Sequence, residues 1–262
     1  MMNKPSVLIT GASTGIGAVY AGRFAKRGHD LVMVARHRGR MEVLANRLRG
    51  DSGVAIDILQ ADLSDPQALR VVEMRLRDDD RIGILVNNAG AVLPGTFAEQ
   101  MSDDIASIIN LNALAVARLA AAVAPRFVGA GSGAIVNIGP VVGVVPEFQL
   151  TVYGATKAFV LFLSQGLQAE LGPKGVYVQA VLPAATRTEI WDKSGIDVNT
   201  VAGVMEVEEL VDAAMVGFDR REPVTIPPLA NAELWTAYEA ARRSMIPNFS
   251  QPHAAERCRG AA

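Results

Sequence analysis

Tyr153 and Lys157 can both exchange protons, and they stand four residues apart in the chain. On a helix this spacing places both side chains on one face. A free tyrosine has a pKa of about 10 and exchanges protons poorly at neutral pH. A nearby ammonium group stabilises the phenolate and lowers that pKa. The pair therefore predicts a tyrosine that gives a proton to a substrate oxygen or accepts one from it.

A glycine-rich turn near the N-terminus has the composition of a phosphate-binding loop. It follows the first predicted strand directly and opens the first predicted helix. Its glycines allow a tight turn and a close approach to a pyrophosphate, and the helix N-terminus adds free N–H groups. The first glycine gap is three residues long, whereas the most familiar dinucleotide fingerprint has one. The predicted phosphate-binding residues are Gly11, Ser13, Thr14, Gly15, Ile16 and Gly17.

The side chain that follows the second predicted strand decides which nicotinamide cofactor is favoured. A carboxylate there would bind the adenosine ribose 2′-hydroxyl and repel a 2′-phosphate. The chain has Arg36 instead, with Arg38 and Arg40 close by. Guanidinium groups bind phosphate in a bidentate manner. The turn therefore favours NADP(H) over NAD(H), and the alternative is a solvated basic turn.

The elements that must position these residues alternate between short apolar runs and longer helical patterns. Most of the apolar runs are unbroken, as in strands that are buried on both faces. This alternation predicts βαβ units and a single Rossmann-type α/β domain over 1–262, with a doubly wound parallel sheet in three layers, α/β/α. The predicted strands are 7–10, 31–35, 55–60, 84–86, 134–138, 176–181 and 223–226. The predicted helices include 15–27, 40–49, 66–77, 104–127 and 154–171.

Two segments lack strong periodicity. Residues 184–205 follow a predicted strand, on the side of the sheet where ligands bind, and we expect a mobile substrate loop there. An ordinary surface connection is the alternative for this segment. Residues 247–262 contain proline, glycine and charged residues, and we expect this C-terminal tail to fray.

Charge and composition exclude several classes of function. The chain has 25 Lys and Arg residues against 27 Asp and Glu, a formal net charge of −2, so neither nucleic acid nor an anionic membrane is an expected partner. The most apolar stretch, 111–131, carries polar residues, and we expect no segment that is long enough to span a bilayer. The three histidines are widely spaced and predict no metal site. The lone Cys258 cannot form an internal disulfide, and a cytoplasmic location is expected.

Taken in chain order, the motifs resemble those of the short-chain dehydrogenase/reductase family. The resemblance runs from Val7 to about Ile226. It implies a Rossmann fold and an NADP(H)-dependent oxidoreductase. The residues that carry it are Thr10-Gly11-x-x-x-Gly15-Ile16-Gly17, Asp62-Leu63, Asn87-Asn88-Ala89-Gly90, Asn112, Tyr153-x-x-x-Lys157, and Pro183 with Thr188.

The resemblance also implies cofactor contacts for the matching residues. Asp62 would contact the adenine amino group, and Leu63 would line that pocket through its backbone. The nicotinamide amide and the pyrophosphate would meet Thr186 and Thr188, which follow Pro183. The floor beneath the adenosine ribose would be formed by Asn88, Ala89 and Gly90.

Three residues would carry the chemistry that the resemblance implies. Tyr153 would transfer the proton, and Lys157 would bind the nicotinamide ribose hydroxyls. Asn112 would hold a water molecule for proton relay to Lys157. The alternative for Asn112 is a side chain that satisfies a helix kink.

The chain departs from the family pattern at two positions. The family has a catalytic serine thirteen residues before the tyrosine, and that position is Pro140 here. Proline has neither a hydroxyl nor a backbone N–H, so it cannot polarise a carbonyl group. In other enzymes, losing one such donor costs on the order of 100- to 1000-fold in rate. The second departure is Ala184, where the family usually has glycine after Pro183.

Three interpretations of Pro140 stay open. The enzyme reduces carbonyl groups with Tyr153 as the sole donor, or it reduces imines, because a protonated C=N group needs less help from a hydroxyl. In the third interpretation the chain is an NADP(H)-binding sensor or partner module with weak catalysis.

The substrate site is predicted to be apolar, which favours a small hydrophobic ketone or imine. We expect a homodimer or homotetramer, because the family pairs its fourth and fifth helices. The predicted substrate-site residues are Val142, Val145, Phe148, Leu150, Trp191 and Ile196.

Overall fold

The computed structural model describes residues 4–191 and 197–259. The chain divides into two compact units, Met1–Pro228 and Leu229–Ala262. Every predicted site residue belongs to the first unit. The single domain over 1–262 stays a prediction.

Seven parallel strands form one sheet in the described part of the first unit, in the order β3-β2-β1-β4-β5-β6-β7. The chain runs outward from β1 to one edge and from β4 to the other, which confirms the predicted doubly wound α/β fold. The apolar runs located every strand to within two residues at each end. The strands are β1 Ser6–Thr10, β2 Leu31–Ala35, β3 Ile56–Gln60, β4 Ile82–Asn87, β5 Gly133–Ile138, β6 Val176–Val181 and β7 Val224–Thr225.

The helices of the first unit match the predictions at α1, α2, α3 and α6 and differ in two places. The single helix predicted over 104–127 is wrong, because a π-helical segment, Asn110–Leu114, joins two separate helices. The helix at Val207–Asp219 was not predicted, although its buried residues recur with helical spacing. The helices are α1 Gly15–Lys26, α2 Arg38–Ser52, α3 Pro66–Asp78, α4 Ser102–Ile109, α5 Ala115–Ala130, α6 Thr151–Leu171 and α7 Val207–Asp219.

Both faces of the sheet are covered, and β1 shows this most clearly because all five of its residues are buried. Val7 and Ile9 pack into an apolar cluster that includes side chains of α1, α2 and α7. Leu8 points to the other face and packs with side chains of α3 and α5. Successive strand residues point to opposite faces, so an unbroken apolar run fits between two helical layers.

In the part of the chain that the structure describes, one helical stretch, Ser102–Ala130, is long and apolar enough by length and composition to cross a membrane. The expectation that no segment reaches this length is therefore wrong. The core helix of a globular fold passes the same test, and α5 buries Leu119 and Val123 against the sheet. The finding is weak evidence for a membrane span.

The second unit contains helix α8, Ala232–Ser244, and the tail that follows it. The Asn231 side chain accepts a hydrogen bond of 2.9 Å from the Glu233 N–H, as a helix N-cap residue does. Trp235 stacks on Tyr238 with 5.1 Å between the ring centroids. The described part of the tail is exposed and includes two short 3₁₀ turns, and its fraying stays a prediction.

Candidate active site

The described site residues that the sequence predicts lie on the loops and helix ends that follow the first six strands, β1 to β6. In a doubly wound sheet, ligands bind at the carboxyl ends of the strands, where neighbouring connections leave in opposite directions. Strands β1 and β4 are neighbours of this kind. The fold therefore brings together residues that stand far apart in the sequence.

The glycine-rich turn after β1 is a cradle in which larger residues do not fit. Gly11 has φ +67°, and a Cβ atom there would stand 2.7 Å from Asn88 Nδ2. A Cβ atom on Gly17 would overlap the Gly11 carbonyl oxygen. Gly15, with φ +54°, opens α1 after Thr14, which makes no side-chain hydrogen bond to cap the helix. The first N–H groups of α1 are therefore left for a ligand.

Asn88 and Thr10 hold this turn against the end of β4. Asn88 Nδ2 donates hydrogen bonds to the Thr10 and Gly11 carbonyl oxygens, at 2.9 and 3.3 Å. The Thr10 hydroxyl in turn accepts from the N–H groups of Asn88 and Ala89, at 2.9 and 3.0 Å. These bonds fix the position of the cradle relative to the two central strands.

The ends of β2 and β3 bring Arg36 and Asp62 together. Arg36 Nη1 stands 3.8 Å from Asp62 Oδ2, and both side chains are about half exposed. Desolvation works to raise the pKa of Asp62, but hydrogen bonds from the Ser64 hydroxyl and N–H, and the charge of Arg36, outweigh it and lower that pKa. Asp62 is therefore an ionised acceptor at neutral pH, and Leu63 beside it is buried in the core.

Tyr153 and Lys157 lie on the first two turns of α6, and the Lys157 Nζ atom stands 5.6 Å from the centroid of the Tyr153 ring. Lys157 is buried, and its Nζ donates to the Ile138 carbonyl oxygen at 3.4 Å. Burial lowers the pKa of Lys157 to about 8. Burial also raises the pKa of Tyr153, so the expectation of a lowered tyrosine pKa is wrong for this structure, in which desolvation dominates.

Asn112 lies in the π-helical segment and is completely buried. Its Oδ1 accepts from the Ala91 N–H at 3.0 Å, and its Nδ2 donates to the Ala91 carbonyl oxygen at 2.9 Å and to Thr156 Oγ1 at 3.2 Å. The π-helical segment interrupts the helix and turns Asn112 toward the loop after β4. The side-chain amide thus holds that loop against α6.

Thr156 is a site residue that the sequence patterns did not single out. Its hydroxyl donates to the Tyr153 carbonyl oxygen at 2.7 Å. A hydroxyl has one hydrogen, so toward Asn112 it can only accept. Thr156 therefore sets which way the Asn112 amide faces. A hydroxyl residue three positions after Tyr153, within one helical turn, is the signal that could have indicated it.

Gly90 lets the loop after β4 pass close to two polar atoms. A Cβ atom at Gly90 would stand 3.2 Å from Asn112 Oδ1 and 3.2 Å from Lys157 Nζ. The structure therefore brings Gly90, Asn112 and Lys157 together, although they lie on the loop after β4, the π-helical segment and α6.

The turn after β5 packs directly on α6. Pro140 precedes a 3₁₀ turn, Val141–Gly143, and the Pro140 carbonyl oxygen accepts from the Gly143 N–H at 3.0 Å. A Cβ atom on Gly143 would stand 2.7 Å from the carbonyl carbon of Lys157, so this turn lies against the backbone of α6. The position after β5 therefore contributes a proline ring and no hydroxyl.

The predicted apolar residues continue beyond this turn. Val142 and Val145 are partly buried, whereas Phe148 is 55% exposed in the 3₁₀ turn Pro146–Phe148. Leu150 comes directly before α6 and is partly buried. These side chains lie near the N-terminal turn of α6, which carries Tyr153.

The segment after β6 contributes the remaining predicted residues. Pro183 and Thr186 are buried, and the Trp191 indole Nε1 donates to the Thr186 carbonyl oxygen at 2.7 Å. Thr188 lies against the glycine cradle, with its Cγ2 3.3 Å from the position of a Cβ atom on Gly15. Ile196 lies outside the described residues. Within the described ranges, no group of three or more His, Cys, Asp or Glu residues is placed to hold a metal ion.

Comparison with known families decides what kind of protein carries this site. Residues 5–199 match the family model described as short chain dehydrogenase. The chain belongs to the short-chain dehydrogenase family. The resemblance inferred from the motifs is thereby confirmed.

Two solved structures of similar sequence resemble this one closely. A short-chain dehydrogenase from Sphingobium yanoikuyae, in complex with NADPH, is 64% identical, with a TM-score of 0.96 over 97% of this chain and 100% of that chain. The bulky-bulky ketone specific alcohol dehydrogenase from Comamonas testosteroni is 58% identical, with a TM-score of 0.93 over 99% of this chain and 100% of that chain.

The curated relatives of this short-chain dehydrogenase are longer proteins. The very-long-chain 3-oxoacyl-CoA reductase of Mus musculus is 34% identical over 187 residues, which is 70% of this chain. The match spans 60% of the length of that relative.

Proposed function

We propose that this short-chain dehydrogenase is an NADP(H)-dependent oxidoreductase that interconverts a hydrophobic carbonyl compound and its alcohol, with Tyr153 as the proton donor and acceptor. The observation that carries the proposal is that Lys157 lies next to Tyr153 and that both Lys157 and Asn112 meet the loop after β4, which also holds the glycine cradle through Asn88. We further propose that the enzyme is cytoplasmic and acts as a homodimer or homotetramer.

The residues of the cradle fit a dinucleotide. Gly11 and Gly17 let the turn pack tightly on Asn88 and on its own backbone, and the uncapped end of α1 supplies N–H donors for a pyrophosphate. Arg36 would bind a 2′-phosphate and Asp62 the adenine amino group. Lys157 would bind the nicotinamide ribose. The NADPH found with the Sphingobium protein supports this assignment.

The side chains of this protein move the proton in the proposed reaction. When bound, the cofactor supplies or accepts a hydride at the substrate carbon. Tyr153 is protonated at neutral pH because burial raises its pKa, so it can give its proton to the carbonyl oxygen during reduction. Lys157, protonated below a pKa of about 8, would stabilise the phenolate that this step leaves.

Two observations bear on the substrate class. Pro140 removes a hydroxyl donor from the turn after β5, and valines line that turn, so an apolar carbonyl compound is favoured over a charged one. The name of the Comamonas relative, specific for bulky-bulky ketones, supports a ketone with two large substituents.

The test is NADPH oxidation, followed by the loss of NADPH absorbance, with bulky aromatic ketones and with cyclic imines. We expect turnover of ketones that vanishes in Tyr153→Phe, while NADPH binding persists. Tight NADPH binding without turnover of any substrate would favour a sensor or partner module instead.

Pro140 favours imine reduction as a second candidate, because an iminium carbon needs no hydroxyl donor to activate it. The variant Pro140→Ser distinguishes the two, because it restores a donor at the turn. If ketones are the substrates, ketone reduction should rise in this variant, toward the 100- to 1000-fold that one donor contributes elsewhere, at most. Faster turnover of imines than ketones in the unaltered enzyme, with no gain for ketones in the variant, would support imine reduction.

A further inference from the structure

A cavity of about 490 Å³ lies between α3 and α5, on the solvent side of the helical layer that covers one face of the sheet. Its lining residues belong to the second half of α3 and the middle of α5. Its volume falls within the range of about 300–1,000 Å³ that small-molecule sites occupy. None of the residues that line it is among those predicted to contact cofactor or substrate, so the cavity is separate from the site described above.

Three arginines and one carboxylate are the charged groups of this cavity, which gives it a net charge of +2. The carboxylate belongs to Glu73, whose side chain is only 8% exposed. It accepts hydrogen bonds from Arg118 Nε at 2.5 Å and from Arg77 Nη2 at 3.0 Å. A buried carboxylate has to be paired, so Glu73 holds both guanidinium groups in place. The excess of positive charge is therefore built into the cavity.

The third arginine, Arg126, is held by groups that do not neutralise it. Its Nε and Nη2 donate to the Leu76 carbonyl oxygen at 3.3 and 3.1 Å, and its Nη1 donates to the Asp80 carbonyl oxygen at 3.4 Å. The carboxylates of Asp79 and Asp80 are near enough to favour its charged form. Neither carboxylate lies within ion-pair distance of Arg126 in the part of the chain that the structure describes. Arg126 is thus a fixed positive charge at one end of the cavity.

Two of the arginines still have donors to offer. Arg118 bonds to Glu73 through Nε alone, and its two Nη groups donate to no group among the residues that the structure describes. Arg77 uses Nε and Nη2, both toward Glu73, which leaves its Nη1. The two Nη groups of a guanidinium match the spacing of two oxygens of a phosphate or a carboxylate. The cavity therefore offers a preformed binding group for an anion.

The surface between Arg118 and Arg126 is apolar. These two residues are eight positions apart on α5, which is about two helical turns. Ala121, Ala122 and Pro125 line the cavity between them, and their short side chains leave the space open. None of the three has a polar side-chain atom. A ligand that fills this space must have a carbon part as well as a charged group.

We propose that this arginine cavity, formed by Glu73, Arg77, Arg118, Arg126 and the short side chains between them, binds a small organic anion. Phosphate or carboxylate oxygens of the ligand meet Arg118 and Arg77, and its carbon part packs on the alanines and the proline of α5. Inorganic phosphate reaches the arginines but leaves the apolar part of the cavity unfilled, so it binds more weakly. The inference does not depend on the proposed function, because the cavity shares no residue with the cofactor cradle.

The experiment is isothermal titration calorimetry of the full chain with phenyl phosphate, which combines an anion with an apolar ring. We expect a dissociation constant below about 1 mM, and binding at least about 5-fold weaker for inorganic phosphate and for benzyl alcohol. The same titration is made on Arg36→Gln, which alters the cofactor rim and not the cavity. Affinity for phenyl phosphate should be the same in this variant, because the probe does not use the cofactor site.

Variants of the cavity arginines test the assigned contacts. Arg118→Gln should weaken phenyl phosphate binding by about 10- to 100-fold, the contribution of a hydrogen bond between charged groups. Arg77→Gln should weaken it by about 2- to 10-fold, because this side chain is 53% exposed. Arg47→Gln is the matched control, since it removes the same charge from an exposed position of α2, at the opposite face of the sheet. It should leave binding unchanged.

Each contrary outcome would overturn the arginine cavity as an anion site. The proposal fails if phenyl phosphate does not bind below about 10 mM, or if Arg47→Gln weakens binding as much as the cavity variants do. It also fails if Arg36→Gln abolishes binding, since the probe then occupies the cofactor site. Far-UV circular dichroism checks that each variant is folded. If Arg118→Gln does not fold, because Glu73 loses a partner, the exposed Arg77→Gln decides the outcome.

Discussion

The proposed catalytic cluster and the proposed cofactor rim use the same kinds of polar interaction in opposite environments. Asn112, Thr156 and Lys157 are at most 5% exposed, whereas the side chains of Arg36 and Arg40 are more than half exposed. An unsatisfied buried polar group costs about 1–3 kcal/mol, but an exposed ion pair contributes only about 0–1 kcal/mol. We therefore expect the buried cluster to set geometry and protonation, and the exposed rim to adjust cofactor affinity.

The largest effect is expected at Tyr153. Because Tyr153 belongs to the buried cluster and not to the rim, its replacement should abolish turnover without weakening NADPH binding. Tyr153→Phe removes the proton donor and should lower kcat by about 100- to 10,000-fold. NADPH affinity, measured by fluorescence titration, should stay within about 2-fold, since the cradle and the rim are unchanged. A variant that keeps more than a tenth of the activity would show that another group transfers the proton.

The buried charge of Lys157 should lower the stability of the folded protein, although the same charge supports turnover. Its lowered pKa means that the folded state binds this proton more weakly than the unfolded chain does. The free-energy cost of burying the charged ammonium is therefore fully present below about pH 8. It is relieved as the pH rises toward 10.5, the ordinary pKa of a lysine. Lys157→Met should stabilise the protein without cofactor by about 3 kcal/mol at pH 7 while abolishing turnover.

Urea unfolding of both proteins from pH 7 to pH 10 tests this prediction. The stability difference between Lys157→Met and the unaltered protein should shrink across that range. Reduction by the unaltered enzyme should also slow above about pH 8, because Lys157 then loses its proton. If the stability difference does not change with pH, the buried charge of Lys157 is not its cause.

Thr156 should have an intermediate effect, since it acts through Asn112 and the backbone of Tyr153. Thr156→Val keeps the shape but removes the hydroxyl, which leaves the Asn112 amide and the Tyr153 carbonyl oxygen each with one partner fewer. We expect kcat to fall about 5- to 30-fold, from a cost of about 1–2 kcal/mol, with little change in KM for NADPH. Thr156→Ser is the matched control and should restore kcat. Equal losses in both variants would point to packing rather than to the hydroxyl.

The smallest effect is expected on the rim, at Arg36. Arg36→Gln should weaken NADPH binding by roughly 5-fold, about 1 kcal/mol, because the guanidinium is solvated in the free protein. NADH binding should hardly change, so the ratio of the two dissociation constants is the measurement. Equal weakening for both cofactors would mean that Arg36 maintains the turn and does not read the 2′-phosphate.

The sequence predicted the fold accurately because most of its strands are buried on both faces. Such strands read as unbroken apolar runs, and the edge strand β3, which has exposed residues, was located as well. The ends of helices were harder to predict where the apolar pattern continued from one helix into the next. The apolar residues over 104–127 continue through the π-helical segment, so the pattern does not reveal the interruption at Asn112.

The sequence by itself determined which groups are available for chemistry: the tyrosine and lysine on one helical face, the glycines that open α1, and a proline in place of a hydroxyl after β5. Only the tertiary structure decided how those groups behave. Desolvation, which depends on packing, raises the pKa of Tyr153 against the expected effect of Lys157. The contact between Arg40 and Glu189, 149 residues apart, likewise exists only because the parallel sheet brings the ends of β2 and β6 to one edge of the sheet.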